Sequence, residues 1–135
     1  MKLIVYTDGG ARGNPGSAAI GVVIYNEKGK VVSTISRYLG RATNNQAEYQ
    51  AIHAALEACR ELHANEVKCF LDAELVVKQL NGEYRVRDAG LSVWFSKIET
   101  LRNQFSKITF HHVPREKNTF ADRLVNEALD HHVHR

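Results

Sequence analysis

The stretch KLIVYTDGGARGNPGS at residues 2–17 decides the fold, because it joins an apolar run to a glycine-rich segment. The apolar run at residues 2–8 is rich in β-branched and aromatic side chains, which predicts a strand. The glycines and Pro15 that follow predict a turn or loop at residues 8–17. Asp8 therefore stands at the predicted end of a strand, where the chain enters a loop.

The rest of the sequence predicts four more strands and four helices. Residues 18–26 and 30–40 read as strands joined by a turn at residues 27–29, so the first three strands form an antiparallel meander. Two later strands, at residues 67–71 and 107–113, alternate with helices, which favours right-handed crossovers and parallel pairing. The helices are predicted at residues 44–62, 73–80, 91–104 and 118–131, the last capped by Asn118. The pattern predicts an α/β fold with a mixed sheet and helices on its faces.

The composition is typical of one globular domain, which we expect to span residues 1–135. The formal net charge at pH 7 is +3, which mildly favours anionic partners. No apolar run approaches the roughly 20 residues of a membrane helix, and the first apolar run is interrupted too early for a signal peptide. We therefore expect a cytoplasmic monomer with no membrane contact. Cys59 and Cys69 stand in apolar surroundings and are expected to be buried, although the sequence leaves a disulfide open.

Four carboxylates stand where an apolar side chain would fit better. Asp8 and Asp72 each end an apolar run that predicts a strand. Glu48 and Asp122 lie on the apolar faces of their predicted helices. If the two strands are adjacent and parallel, Asp8 and Asp72 lie about 5 Å apart, and one would stay protonated unless a cation intervenes. A hard divalent cation with oxygen ligands would relieve this repulsion.

Each acid also has a structural interpretation. Asp8 could begin a turn, and Asp72 could cap the helix that follows it. Glu48 and Asp122 could complement the dipoles of their helices. Four such acids at core edges favour a shared metal site over four separate structural roles.

Four segments of the chain resemble type 1 ribonuclease H, in the order and at about the intervals of that family. They lie at residues 6–10 with 14–16, 43–48, 71–79 and 118–126. The resemblance implies the ribonuclease H-like fold, with a five-stranded mixed sheet of order 3-2-1-4-5 and helices on both faces. It also implies an endonuclease that hydrolyses the RNA strand of RNA–DNA hybrids and leaves 5′-phosphate and 3′-hydroxyl ends.

The resemblance also implies roles for individual residues. Two Mg²⁺ ions, or Mn²⁺ as a substitute, would be held by the four catalytic carboxylates Asp8, Glu48, Asp72 and Asp122. One ion would lower the pKa of the attacking water, and the other would stabilise the leaving 3′-oxygen. The implied contacts to the hybrid are Gly9, Gly10, Asn14, Thr43, Asn45 and Gln46. Thr43 and Gln46 also form the signature of a capping box.

The sequence departs from the best-known family pattern in three places. Ala73 stands where many members have serine after the third acid. A short connector replaces the basic protrusion of some members, so the positive surface would come from Lys78, Arg85 and Arg87, whose charges could also be merely solvated. Tyr84 in the same connector is a further expected contact to the hybrid. Many members carry a histidine before the last helix, where this sequence offers Arg115. Arg115 is the candidate for assisting departure of product or metal, or for contacting a phosphate alone.

Other functions stay open at this point. A non-catalytic hybrid-binding module would share the fold, and loss of one or more acids would mark it. A related nuclease could act on double-stranded RNA. The segment His131-His132-Val133-His134 could bind stray transition metals and is more typical of a frayed helix end.

Overall fold

The computed structural model describes residues 1–133, and five strands form one sheet at its centre. The strands are β1 (Lys2–Arg12), β2 (Gly16–Tyr25), β3 (Val31–Ala42), β4 (Glu66–Leu71) and β5 (Lys107–His112). Their order is β3-β2-β1-β4-β5, with antiparallel pairing among β1, β2 and β3 and parallel pairing of β4 with β1 and β5. The predicted mixed sheet and its strand order are confirmed.

Four helices follow the meander, close to their predicted positions. They are α1 (Asn44–Glu61), α2 (Glu74–Leu80), α3 (Ala89–Arg102) and α4 (Thr119–Val133), and a 3₁₀ turn at Arg115–Lys117 precedes α4. The predicted capping box is confirmed, because Thr43 accepts from the backbone of Gln46 and Gln46 accepts from that of Thr43. The last histidine of the predicted frayed tail, His134, lies outside the described residues. None of the helices within residues 1–133 is both long and apolar enough to cross a membrane.

Helices cover both faces of the sheet, and β2 is buried between them. Ile20, Val22 and Ile24 of β2 pack toward α1, while Ala19 and Val23 pack toward α4. α3 packs on α1, and α2 contacts α1 and β5. Cys59 and Cys69 are free thiols in the core, as expected, and burial raises the pKa of each to about 12.

The predicted loop at residues 8–17 is wrong. β1 continues to Arg12 and β2 begins at Gly16, so most of the segment is a paired hairpin. Only residues 13–15 turn the chain, with Gly13 at positive φ. Glycine and aspartate disfavour strands in isolation, but burial of β2 on both faces decides the conformation of its partner strand.

Two glycines let helices approach the sheet more closely than any side chain would permit. A Cβ on Gly9 would overlap the backbone of Ala47 in α1. A Cβ on Gly21, which pairs with Asp8 across the hairpin, would overlap the carbonyl oxygen of Ala121 in α4. The two helices therefore meet the sheet on opposite faces, next to Asp8.

Gly21→Ala should lower the free energy of unfolding by about 2 kcal/mol or more, because overpacking against a helix backbone forces α4 to shift. Gly10→Ala is the matched control, since its Cβ would meet Val125 Cγ1 at an ordinary 3.5 Å. We expect the control to change stability by less than about 1 kcal/mol. Denaturant unfolding of both variants measures the difference, and equal effects would contradict the close approach at Gly21.

Candidate active site

The parallel pairing of β1 and β4 brings Asp8 and Asp72 together. Tyr6 pairs with Phe70, and each acid follows two residues later in the chain, Asp8 within β1 and Asp72 directly after the end of β4. Asp8, Glu48 and Asp72 each offer one oxygen, and these oxygens all lie within 4.8 Å of one another. Asp72 is not a helix cap, because α2 is preceded by Ala73 and has no side-chain cap. Asp8 lies in the middle of a strand, which excludes the turn interpretation.

α1 brings Glu48 to the same point from one face of the sheet. Glu48 is buried, and its Oε1 accepts a hydrogen bond of 2.5 Å from the Gly9 backbone N–H. The first turn of α1 contains no acid, so Glu48 is not placed to complement the helix dipole. Gly9 thus contributes both the close approach of α1 and the hydrogen bond that aims Glu48.

α4 brings Asp122 to the cluster from the opposite face. Asp122 lines the same cleft as Asp8, and its carboxyl is close enough to raise the pKa of Asp8. Asp122 lies in the first turn of α4, so a favourable interaction with the helix dipole is compatible with its place at the site.

The crowding of these carboxyls opposes their ionisation. Burial is the main reason that the pKa of Asp8 is raised to about 8, and the charge of Asp72 adds to it. Burial also raises the pKa of Glu48, and the charges of Asp8 and Asp72 raise it further. Within residues 1–133, no lysine, arginine or histidine forms an ion pair with any of the four acids. A cation bound by these oxygens would supply the missing charge, and such hard oxygen donors suit a divalent ion.

Asn118 connects the acids to the sheet and does not cap α4. Its Nδ2 donates to the Thr7 carbonyl oxygen at 2.8 Å and to Asp72 Oδ1 at 3.4 Å. Its buried Oδ1 accepts no hydrogen bond in the described structure, so the predicted side-chain cap is wrong. The tertiary contact with β1 takes the amide away from the first turn of α4. Asn118 instead helps to orient Asp72.

An open, polar cleft of about 540 Å³ surrounds the four acids. Of the predicted contact residues, Gly9, Gly10, Asn45 and Arg115 line it. The polar residues Arg12, Asn44 and Asn126 also line the cleft, and sequence reasoning gave them no role. The alternation of side chains along β1 was a usable signal for Arg12, but the predicted loop at residues 8–17 concealed it.

Comparisons with known proteins place the chain in a family. The family model described as "Reverse transcriptase-like" matches residues 6–128. The solved structure described as LC11-RNase H1 in complex with RNA/DNA hybrid is 46% identical, with a TM-score of 0.93 over 97% of this chain and 99% of that one. The chain belongs to the type 1 ribonuclease H family.

Two curated relatives of this ribonuclease H domain are longer than the chain. Ribonuclease HI of Halobacterium salinarum is 43% identical over 129 residues, which cover 96% of this chain and 65% of that protein. Bifunctional protein Rv2228c of Mycobacterium tuberculosis is 40% identical over 131 residues, which cover 96% of this chain and 36% of that protein. The chain thus spans about a third of the length of the mycobacterial relative.

The other predicted contacts of the ribonuclease H domain lie outside the cleft. Asn14 accepts from the Asn44 backbone, and Asn44 Oδ1 accepts from the Ala11 backbone, so the β1–β2 hairpin is fastened to the start of α1. α2 and α3 are joined by residues 81–88, in keeping with a short form without a basic protrusion. Tyr84 and Arg85 line a separate hollow there, and Lys78 lies 5.1 Å from the centre of the Tyr84 ring.

Without metal, the ribonuclease H domain should lose stability as the pH rises. The folded pKa of Asp8 is about 8 against an ordinary 3.8, so the folded state binds more protons than the unfolded chain between these values. Stability is then highest near pH 4, falls through this window and levels off above pH 8. Asp8→Asn removes one of the repelling charges, so in EDTA it should raise the melting temperature at pH 8 and much less at pH 5.

Thermal unfolding in EDTA at the two pH values tests this expectation, with Glu27→Gln in the exposed β2–β3 turn as the matched control. Added Mg²⁺ should stabilise the parent more than Asp8→Asn, because binding to the native state adds stability. A lower melting temperature of Asp8→Asn at both pH values would mean that the carboxyl holds the fold together.

Proposed function

We propose that the chain is a metal-dependent endonuclease that hydrolyses the RNA strand of RNA–DNA hybrids. The observation that carries this proposal is the cluster of carboxylates, which has no cationic partner among residues 1–133 and lines an open, polar cleft. Membership of the ribonuclease H family supports it, and so does the relative whose structure holds an RNA/DNA hybrid. All four acids are present, which disfavours a non-catalytic binding module.

The four acids would hold two divalent ions, Mg²⁺ in the first place and Mn²⁺ as a substitute. Bound there, such ions lower the pKa of an attacking water and neutralise charge on a leaving 3′-oxygen, which would give 5′-phosphate and 3′-hydroxyl products. The chain's own groups prepare this site. Gly9 aims Glu48 through its N–H, and Asn118 orients Asp72. Asp122 contributes a fourth carboxyl from α4.

Recognition of the hybrid would be divided between the cleft and its surroundings. Asn45 lines the cleft, where its amide can reach 2′-hydroxyls, the feature that distinguishes RNA from DNA. Asn14, Thr43 and Gln46 lie around the start of α1, and Gly10 leaves the floor of the cleft open. The phosphates of the DNA strand would be bound by residues outside the cleft, namely Lys78, Tyr84, Arg85 and Arg87. A cytoplasmic location and a monomeric state stay predictions.

Cleavage of the RNA strand in a hybrid should require a divalent cation. Three end-labelled substrates, namely hybrid, double-stranded RNA and single-stranded RNA, are incubated with Mg²⁺ or with excess EDTA. We expect cleavage of the hybrid with Mg²⁺ only, and near-complete loss of cleavage in Asp8→Asn. Cleavage that persists in EDTA would refute the metal-dependent mechanism, and a preference for double-stranded RNA would favour the related nuclease.

Arg115 should act during turnover. It lies in the exposed 3₁₀ turn at the edge of the acid cleft. Arg115→Ala should lower kcat more than it raises KM, because loss of a group that acts during chemistry or product release affects turnover. Lys117→Ala is the matched control, since Lys117 belongs to the same turn and lines a different hollow. Steady-state kinetics separate the two constants, and a change in KM alone would indicate simple phosphate binding.

A further inference from the structure

Arg12 is an exposed cation in the acid cleft to which the proposed reaction gives no role. It is the last residue of β1 and lines the cleft together with Asn126 and Leu129 of α4. Its Nη2 donates to Asp130 Oδ1 at 2.7 Å and to Asn126 Oδ1 at 3.4 Å. A cation thus stands at the edge of a cleft whose centre carries four acids.

Most of the hydrogen-bonding capacity of Arg12 remains available. Both contacts use Nη2, and within residues 1–133 the Nη1 and Nε atoms donate no hydrogen bond. A guanidinium presents five N–H donors in a planar fork that matches a phosphate. The side chains of Arg12 and Asp130 are 45% and 60% exposed, and ion pairs this exposed are weak. Arg12 can therefore turn from Asp130 to another anion without leaving a buried charge behind.

The strand geometry connects Arg12 with the acids. Side chains alternate along a strand, so Asp8, Gly10 and Arg12 share one face of β1. Four residues of strand separate Asp8 from Arg12 by about 14 Å. Gly10 lies between them and has no side chain to obstruct the floor of the cleft. A polynucleotide strand that follows β1 with one phosphate at the acids would bring a phosphate about two nucleotides away to Arg12.

We propose that Arg12 binds a backbone phosphate of the cleaved strand and that Asp130 holds Arg12 while the cleft is free of nucleic acid. The inference rests on the proposed function and adds a substrate contact to it. Asp130 then competes with the phosphate, so the two residues of one ion pair have opposite effects on binding. If the Arg12–Asp130 ion pair only fastened the β1–β2 hairpin to α4, replacing either residue would change hybrid binding in the same direction.

The test is binding of a fluorescently labelled RNA–DNA hybrid by anisotropy, in EDTA and over a range of salt concentrations. Arg12→Gln should weaken binding about tenfold and lower the magnitude of the salt slope by about one, as for the loss of one phosphate contact. Asp130→Asn should tighten binding, by up to about fivefold, because it releases Arg12 from an exposed pair. In the double variant, Asp130→Asn should have no further effect.

A second exposed pair on α4 supplies the matched controls. Arg123 and Glu127 lie 3.8 Å apart with side chains 65% and 58% exposed, and neither lines the acid cleft. Arg123→Gln and Glu127→Gln make the same changes in net charge and should alter affinity and salt slope much less. Equal effects from the control pair would overturn the proposal, because general charge would then explain the binding.

Other results would also decide against the proposal. Weaker binding by both Arg12→Gln and Asp130→Asn, with similar losses of melting temperature, would mean that the pair is a structural clamp. An unchanged salt slope in Arg12→Gln, or no binding of hybrid by the parent, would also overturn it. The cleavage assay with Mg²⁺ tests the proposed function separately. A parent that binds hybrid in an Arg12-dependent way without cleaving it would refute the nuclease activity and leave this inference standing.

Discussion

The site depends on how closely two helices approach the sheet on either side of Asp8. Gly9 admits the backbone of α1, and Gly21 admits the backbone of α4. Because these contacts are between backbones, they fix the positions of Glu48 and Asp122 more firmly than flexible side chains would. The acids come from β1, from the residue that follows β4 and from two helices, and this packing holds all four elements at one point.

The same packing creates an electrostatic conflict. Removing Asp8 and Glu48 from water raises the free energy of their ionised forms, and their mutual proximity adds repulsion. Protons or a bound cation can relieve this conflict, and near neutral pH a divalent cation does so without removing the negative oxygens that bind it. The clustered acids therefore make the folded protein less stable than it would be without them, which is common at active sites.

Positive charge is distributed around the cleft rather than within its centre. Arg12 and Arg115 line it, and neither forms an ion pair with an acid of the cluster. Arg12 is held by Asp130 and Asn126 of α4. This separation leaves the acids free for a cation while it places guanidinium groups where a phosphate backbone passes. The neutral amides of Asn44, Asn45 and Asn126 also line the cleft and suit uncharged parts of a nucleic acid.

The sequence by itself determined the element order, the mixed sheet and the identities of the acids. Periodic apolar positions and the capping box at Thr43 are local signals, and a carboxylate on an apolar face is conspicuous in any single sequence. Only the tertiary structure decided that β1 continues through Gly9 and Gly10, because burial of the neighbouring strand overrides local propensity. It also decided that the Asn118 side chain crosses to Thr7 and Asp72. Such contacts join residues distant in the chain, and they follow from packing that no local pattern records.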